Sequence, residues 1–374
     1  MREKLSAISL FSGAGGMDIG VRRAGFEILA CVEIDKYCCE TLRDNIKRKG
    51  FDTVVYEGDI RVFNPEQILQ DLGCKIGDID LVFGGSPCQS FSQIGKQESL
   101  LDERGSLIFQ FLRYVKVVKP KVVMIEQVKG LLNAKDLSGK RGGVFEKFIK
   151  GLECLGYIPY WNVILAADYG VAQLRERVFI VATQKGYEFQ FPLPTHSKFA
   201  VNDNLLPYVT VGEVLKGLDA PISKNDSCVI PDDSHYDVTP LRDRERIHAV
   251  PEGKNLSSQT HLPKEQIGRL TKKDTTKFLR LSRNKPANTL RCGEIFYHPL
   301  EDRYLTPREY MRIHGYPDDY YLKGVIRGRS GSVRNIDQHR QVSNSVPPPL
   351  AEVIALKIRE MIVCHKFMNC SGIL

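Results

Sequence analysis

The sequence lacks an apolar run long enough for a membrane-spanning helix. Its first residues, Met1-Arg2-Glu3-Lys4, also lack the apolar stretch of a signal peptide. Both absences argue against membrane insertion and secretion, and they predict a cytoplasmic protein.

The cysteines lack any pairing pattern. Ten are present, but they form no C-x-x-C pair and no regular framework. This favours reduced thiols over disulfides or a zinc site, and we expect no bound metal. Internal repeats are absent too, which excludes a repeat architecture.

The composition is that of an ordinary soluble protein. Of 374 residues 42% are hydrophobic, enough for a full-sized core and a smaller second domain. The net charge of +8 permits a nucleic-acid partner without requiring one.

The basic residues concentrate between positions 264 and 291, where only Glu265 and Asp274 oppose them. A solvated surface normally mixes the two signs of charge, so we favour a polyanion partner here. Lys272, Lys273 and Arg283 are the contacts that we single out. The basic residues of this stretch are Lys264, Arg269, Lys272, Lys273, Lys277, Arg280, Arg283, Lys285 and Arg291.

Strand and helix patterns alternate over the first 183 residues, which is typical of an α/β fold with a parallel sheet covered on both faces. The apolar runs that predict strands are 7–11, 28–32, 54–56, 79–83, 122–125, 161–165 and 178–182. After Gln184 the alternation stops. Residues 185 to about 335 are rich in Pro, Asn, Asp and Lys, which predicts an irregular second domain, and a helical pattern returns at 350–361.

Residues suited to ligand binding follow the first three strands. The first strand runs into a glycine-rich turn, Phe11 to Gly16, that can pass close to a ligand beside a helix N-terminus. The turn lacks the G-x-G-x-x-G spacing of dinucleotide folds, so by itself a tight turn without a ligand explains it equally well. Glu33 and Asp59 follow the next two strands, where carboxylates can accept hydrogen bonds from ribose hydroxyls and an adenine amino group.

A single cysteine, Cys88, follows the fourth predicted strand. Gly84-Gly85 ends that strand with a turn that allows close approach to a ligand, and Pro87 restricts the direction of the next residue. Cysteines more often serve as small buried hydrophobes. The polar stretch Gln89 to Ser92 argues against burial, so we interpret Cys88 as a nucleophile.

Taken in order, these segments make the chain resemble the DNA cytosine C5 methyltransferases of bacterial restriction-modification systems, which use S-adenosylmethionine. The match runs nearly end to end. Its segments are Phe11 to Gly16, Glu33, Asp59, Pro87-Cys88-Gln89, Glu126, Gln173-Leu174-Arg175-Glu176-Arg177, Pro286-Ala287-Asn288-Thr289-Leu290 and Asn344-Ser345-Val346.

The resemblance implies a Rossmann-like methyltransferase fold, a doubly wound and mostly parallel sheet. Residues 1–184, completed by 336–374, would bind the cofactor and carry out catalysis, and 185–335 would recognise the target. The loop after Cys88 would form a lid over a flipped-out base. Double-stranded DNA would be the partner, a monomer would suffice, and a restriction endonuclease acting on the same site could accompany the enzyme.

The resemblance also implies three groups of site residues, with S-adenosyl-L-homocysteine as the cofactor product. The catalytic residues would be Cys88, Glu126, Arg175 and Arg177. The cofactor-binding residues would be Phe11, Gly13, Ala14, Gly15, Gly16, Glu33, Ile34, Asp59, Ile60, Pro87, Leu107, Asn344, Ser345 and Val346. The DNA-binding residues would be Gln89, Ser90, Ser92, Lys272, Lys273 and Arg283.

The chemistry of the reaction explains these residue types. Cytosine C5 is too weak a nucleophile to take a methyl group unless a thiolate first adds to C6, which suits Cys88. Glu126 follows a predicted strand and can donate a proton to N3. Arg175 and Arg177 alternate along a strand, so we expect both to face one side and to bind the cytosine carbonyl oxygen and a phosphate or carboxylate. A base inside a duplex must be flipped out to reach Cys88.

Two positions depart from the family pattern. Gln127 stands where the family usually has Asn, which places its amide one methylene farther out. Ser343 stands where the family usually has Gly. We expect activity to survive both changes.

Two alternatives remain at this point. Some relatives methylate cytosine in tRNA, but they tend to have a smaller recognition region than the 150 or so residues present here. A catalytically silent DNA-binding module of the same fold should have lost Cys88 or Glu126, and this chain keeps both.

Overall fold

The structure is a computed structural model, and it describes residues 4–87, 105–136, 138–199, 204–223, 234–263, 265, 278–291, 293–327 and 335–371. Six of the predicted site residues lie outside the described residues. They are Cys88, Gln89, Ser90, Ser92, Lys272 and Lys273.

Among the described residues, the main element is a seven-stranded sheet. Its strands are β1 (Leu5–Leu10), β2 (Phe26–Glu33), β3 (Val54–Glu57), β4 (Leu81–Gly84), β5 (Val122–Val128), β6 (Tyr157–Leu165) and β8 (Glu176–Gln184). Their order is β3-β2-β1-β4-β5-β8-β6. The first five run parallel, and β8 is antiparallel to both β5 and β6.

Helices connect and cover these strands. The bounds are α1 (Gly16–Arg23), α2 (Lys36–Lys49), α3 (Pro65–Asp71), α4 (Gln110–Val118), α5 (Gly143–Cys154), α6 (Val211–Leu215), α7 (Leu241–Ile247), α8 (Pro307–His314), α9 (Gln338–Asn344) and α10 (Pro348–Ser371). Short 3₁₀ segments occupy Gly105–Phe109, Lys129–Asn133, Ala166–Tyr169 and Leu256–Ser258. The described helices include none with the length and apolar character that membrane crossing requires.

The predicted sheet is confirmed, because all seven apolar runs form its strands. β1 shows why these runs fold this way. Leu5 and Ala7 pack on one face with α1 and α10, whereas Ile8 and Leu10 pack on the other with α3, α4 and α5. A strand buried on both faces has no position for a polar stripe, so it appears in the sequence as a continuous apolar run.

Close contact between α1 and α10 depends on Gly20. A Cβ atom at this position would lie 2.4 Å from the carbonyl oxygen of Pro348 and 2.7 Å from the Cβ of Ala351. Any larger residue would push the C-terminal helix away from the sheet. The N-terminal and C-terminal parts of the chain therefore share one core.

Between Gln184 and residue 335 the described part of the chain contains only short elements. They are β9 (His196–Ser197), β10 (Leu206–Pro207), β11 (Ile222–Ser223), β12 (Tyr236–Asp237) and β13 (Ala287–Asn288), together with α6, α7 and α8. β13 pairs with β7 (Gln173–Leu174), which immediately precedes β8. A separate apolar cluster supports this region, and it includes Tyr310, Tyr316 and Tyr320 along with Ala14 of the glycine-rich turn.

A buried polar network joins these parts of the chain. The Gln173 side chain accepts a hydrogen bond from the Leu290 N–H at 3.0 Å, and its Nε2 lies 2.9 Å from His314 Nδ1. His314 Nε2 lies 3.0 Å from the carbonyl oxygen of Ser345. Since a carbonyl only accepts, His314 donates from Nε2 and accepts at Nδ1, which is the neutral tautomer.

Burial keeps His314 neutral. The side chain is fully buried, and burial, reinforced by the positive charge of Arg175, lowers its pKa well below the usual value. The unfolded chain takes up a proton here below about pH 6.5, while the folded chain resists it, so stability falls as the pH falls through this range.

We predict that His314→Gln weakens this acid sensitivity. The free energy of unfolding of the wild type should fall relative to that of the variant by up to about 1.4 kcal/mol for each pH unit below about 6.5. Urea unfolding at several pH values measures the difference. His261→Gln is the matched control, because it removes an exposed histidine in place of the buried one. Parallel curves for wild type and His314→Gln would contradict the assignment.

Candidate active site

The carboxyl ends of the five parallel strands meet at one edge of the sheet, where the predicted ligand residues lie. Leu10 is opposite Val32 and Gly84, Glu33 is opposite Glu57, and Gly84 is opposite Ile125. Ligands of open α/β sheets bind at this edge. The topology therefore brings the glycine-rich turn and the residues after β2, β3, β4 and β5 together.

The glycine-rich turn leaves one position open. Phe11 and Gly13 both adopt positive φ angles, of 53° and 54°, a region that non-glycine residues rarely enter. A Cβ atom added to Gly13 would have no neighbour within 4 Å. The Phe11 ring lies 5.6 Å from that of Phe111. The turn thus places the Phe11 ring next to the partly exposed backbone at Gly13.

Gly15 and Gly16 serve protein packing instead. A Cβ at Gly15 would lie 2.5 Å from the Tyr320 hydroxyl, and one at Gly16 would lie 2.4 Å from the Val346 carbonyl oxygen. At both glycines the space that a side chain would fill is occupied by the C-terminal segments, and their contact with a cofactor through the backbone stays a prediction. Ala14 is buried, and its carbonyl accepts a hydrogen bond from Tyr320.

Glu33 is held by three main-chain donors. Its carboxylate accepts hydrogen bonds from the N–H groups of Gly13 (2.7 Å), Ile34 (2.9 Å) and Asp35 (2.8 Å). Burial raises the pKa of Glu33, and these bonds oppose that shift. Oε1 accepts the bonds from Ile34 and Asp35, whereas Oε2 accepts only the bond from Gly13, so Oε2 keeps a lone pair that can accept a hydrogen bond from a hydroxyl.

Asp59 has a cationic partner that the sequence reasoning missed. Arg61 contacts both of its carboxylate oxygens, with Nε 3.0 Å from Oδ1 and Nη2 2.5 Å from Oδ2. The sequence contained a signal for this contact, because an arginine two residues after an aspartate can fold back onto the aspartate carboxylate. This contact fixes the orientation of the carboxylate at the edge of the site.

The remaining predicted cofactor residues occupy different environments. Ile60 is buried and Leu107 half-buried in the cluster on the α4 side of the sheet, while Ile34 and Pro87 are exposed. Ser345 and Val346 are buried, and Asn344 is exposed.

Glu126 and Arg177 form an ion pair at the end of β5. The Arg177 Nε lies 2.8 Å from Glu126 Oε1, with side chains 14% and 11% exposed. Glu126 also lies beside the residue that leads to Cys88, since a Cβ at Gly85 would be 3.0 Å from Glu126 Oε2. Low exposure and a fixed cation orient this carboxyl next to the predicted nucleophile segment.

Gly84 is a glycine for a reason other than ligand approach. Its φ is 153°, and a Cβ there would lie 1.8 Å from the Leu10 carbonyl oxygen. The close approach is therefore between β4 and β1, which corrects the expectation that Gly84 makes room for a ligand.

Gln127 anchors the start of the nucleophile segment. Its Nε2 donates hydrogen bonds to the Ser86 carbonyl at 2.7 Å and to the Ser86 hydroxyl at 2.6 Å. The side chain is only 1% exposed. The longer amide therefore reaches the backbone two residues before Cys88.

Arg175 and Arg177 do not share one side of a strand. Arg175 lies between β7 and β8, is 2% exposed, and donates to the carbonyls of Ser343 and Ser345, both at 3.0 Å. One continuous strand would place both arginines on the same side, but the strand is interrupted at Arg175. Arg175 holds the Asn344-Ser345-Val346 segment, and Arg177 lies with Glu126.

In its described part, the basic stretch between residues 264 and 291 contains both exposed and buried basic residues. Arg283 and Lys285 are exposed, and Arg283 lies 3.5 Å from Glu252. Arg280, however, is 5% exposed and donates to the Ile247 carbonyl and to Asp302. Arg280 is therefore a packing residue, which corrects its inclusion in a surface for a polyanion.

Comparisons with known proteins identify the family of the chain. The family model of the C-5 cytosine-specific DNA methylases matches residues 5–360. The type II methyltransferase M.NgoFVII of Neisseria gonorrhoeae is 35% identical over 351 residues, covering 92% of this chain and 84% of that protein. M.AquIA of Picosynechococcus sp. is 43% identical over 233 residues, which cover 58% of this chain and 90% of the relative.

The fold has solved counterparts as well. A crystal structure described as a DNA modification methyltransferase encoded within an E. coli prophage superposes with a TM-score of 0.70 at 24% identity. The superposition covers 96% of this chain and 100% of that one. The resemblance proposed from the motifs is confirmed, and the chain belongs to the C-5 cytosine-specific DNA methylases, enzymes that methylate cytosine in DNA.

Proposed function

We propose that this enzyme transfers a methyl group from S-adenosylmethionine to C5 of a flipped-out cytosine within a specific double-stranded DNA sequence. Cys88 forms a transient covalent bond to C6. The observation that carries the proposal is the Glu126–Arg177 ion pair beside Gly85, three residues before Cys88. This pair supplies an oriented carboxyl where the nucleophile segment begins.

The residues at the sheet edge fit the proposed cofactor. Glu33 can accept bonds from the ribose hydroxyls, Asp59 from the adenine amino group, and Phe11 can contact the adenine ring. The open space over Gly13 leaves room for a ligand against the backbone. When bound, the cofactor supplies an electrophilic methyl group, and S-adenosyl-L-homocysteine is the product. The reaction needs no metal.

The protein's own groups activate the cytosine. The Cys88 thiolate adds to C6 and moves electron density toward C5, while Glu126 donates a proton to N3. Arg177 holds Glu126 and offers a donor to the cytosine carbonyl oxygen. After methyl transfer a water molecule takes the C5 proton, the thiolate leaves C6, and N3 returns its proton to the Glu126 carboxylate, which restores the neutral aromatic base.

Arg175 takes a supporting part in this proposal. Its guanidinium is committed to the carbonyls of Ser343 and Ser345, so it positions the segment that contacts the cofactor. We therefore assign Arg175 to positioning and Arg177 to substrate contact.

DNA recognition is proposed for residues 185–335, and the cofactor domain for 1–184 with 336–374. The side chains of Gln89, Ser90 and Ser92 would enter the flipped-base region, and Lys272, Lys273 and Arg283 would contact phosphates. A monomer holds one complete site. A companion endonuclease and a location in the cytoplasm, with the nucleoid DNA, fit the restriction-modification relatives. The tRNA methyltransferase and the silent DNA-binding module are less well supported, since the matching family model is that of DNA methylases.

We predict that Cys88→Ala abolishes methyl transfer and leaves S-adenosylmethionine binding intact, because the thiol acts on the base and not on the cofactor. Methylation assays and isothermal titration of the cofactor measure the two effects. Wild type should also form a stable adduct with DNA that carries 5-fluorocytosine at the target, which the variant should not form. The target itself follows from 5-methylcytosine sequencing of DNA from an expressing host that lacks other cytosine methylation. Methyl transfer by Cys88→Ala at a comparable rate would show that another nucleophile acts.

We predict a division of roles between the neighbours Glu126 and Gln127. Glu126→Gln should lower turnover about 10²-fold or more, the scale of a lost proton donor, without unfolding the protein. Gln127→Asn should change turnover only modestly, because it keeps an amide. Gln127→Leu should lower the free energy of unfolding by about 1–3 kcal/mol, because it leaves the polar atoms of Ser86 buried without their donor.

Turnover measurements and urea unfolding of the three variants separate these effects. Equal losses of turnover from Glu126→Gln and Gln127→Asn would contradict the division of roles.

A further inference from the structure

A cavity of about 350 Å³ is lined by residues of α1 and α2. Of the proposed cofactor residues only Gly15 lines it. The cavity is walled by Gly15, Asp18, Ile19, Arg22, Arg23, Cys31, Leu42, Asn45, Ile46, Lys49, Phe51, Pro317, Asp319 and Tyr320. Nothing in the proposed methyl transfer uses this space.

The floor of the cavity carries a buried carboxyl group. Asp18 is 5% exposed, and Cys31 Sγ lies 3.2 Å from its Oδ1. Asp18 Oδ2 is buried without a hydrogen-bond partner in the described part of the chain, although the Ser9 hydroxyl lies near the group and opposes the rise in its pKa that burial causes. An unsatisfied buried oxygen costs free energy that a bound donor can recover.

The walls are apolar and partly aromatic. Leu42 is buried, Ile19 and Ile46 are half-buried, and Phe51 is 42% exposed at the mouth. The Arg22 guanidinium lies 4.1 Å from the centroid of the Phe51 ring and donates to the Thr53 hydroxyl. A flat ring would find apolar contact on both sides between α1 and α2.

The mouth is predominantly cationic. Arg23 and Lys49 are exposed there and Arg22 is partly exposed. Arg23 lies 3.6 Å from Glu352, and Lys49 pairs with Asp319. Arg22, Arg23 and Lys49 outnumber the two paired carboxylates, Glu352 and Asp319, by one positive charge, which favours an anionic group on a ligand.

We propose that this cavity is a second small-molecule site, which takes an aromatic or heteroaromatic compound with an N–H donor at one end and an anionic group at the other. The N–H points at Asp18 on the floor, the ring lies between Ile19, Leu42 and Ile46, and the anion lies at the mouth beside Arg22 and Arg23. A cavity of this size holds one such ring system.

Indole-3-acetate has all three features and is the probe. Binding is measured by saturation-transfer NMR and equilibrium dialysis on the full chain, with excess S-adenosyl-L-homocysteine present to occupy the cofactor site. We expect a dissociation constant between about 0.1 and 1 mM, typical of a small ligand. 1-Methylindole-3-acetate lacks the N–H donor and indole-3-ethanol lacks the anion, and each should bind about tenfold more weakly.

Variants locate the probe. Ile46→Trp should abolish binding, because its side chain fills the cavity, and Arg23→Gln should weaken it several-fold by removing a cation from the mouth. Lys47→Gln is the matched control, since it removes one exposed cation of α2 that does not line the cavity. Thermal unfolding and S-adenosyl-L-homocysteine binding check that each variant is folded, and Arg23→Gln changes only the surface.

The proposal is overturned if indole-3-acetate does not bind, or if all three indoles bind equally. It is also overturned if Arg23→Gln and Lys47→Gln have the same effect. Failure of Cys88 to act in methyl transfer would leave these outcomes unchanged, so the two proposals can fail independently.

Discussion

The buried guanidinium of Arg175 is the interaction on which the site's architecture depends. It is 2% exposed and donates to two main-chain carbonyls, those of Ser343 and Ser345. Burying an arginine is costly unless its donors find acceptors, and unpaired buried carbonyls are costly as well. The buried guanidinium therefore needs the two carbonyls as acceptors, and the buried carbonyls need the guanidinium as a donor. Because Arg175 precedes β8 and the two serines end α9, the contact joins segments about 170 residues apart.

Three glycines make that arrangement possible. Gly16 admits the carbonyl of Val346, Gly15 admits the hydroxyl of Tyr320, and Gly20 admits the start of α10. The turn that leads from β1 is therefore shaped by the C-terminal segments on one side, while Gly13 remains open on the other. Within one short stretch of sequence, two glycines therefore accommodate protein packing and a third leaves open space where a ligand is proposed.

The sequence predicted the sheet well and the roles of individual residues less well. Strands buried on both faces leave a direct signal, because every position must be apolar, and the runs such as 122–125 and 178–182 could be found without a partner. Arg175 and Arg280 left no such signal. Both arginines have polar neighbours in the sequence. Only the fold shows that their hydrogen-bond acceptors, the carbonyls of Ser343, Ser345 and Ile247, come from distant segments.

The contacts of Gln127 explain what this residue does in place of the usual Asn. The amide lies one methylene farther out than that of the usual Asn, and the donor distances of 2.7 and 2.6 Å to Ser86 show that it reaches the segment that leads to Cys88. A buried amide that bonds both the carbonyl and the hydroxyl of one residue fixes that residue more firmly than a single bond would. Pro87 then restricts the backbone that follows. As far as Pro87, the segment that leads to the proposed nucleophile is thus held by a side chain of β5. The same strand carries Glu126, so one strand both holds this segment and carries the proposed proton donor.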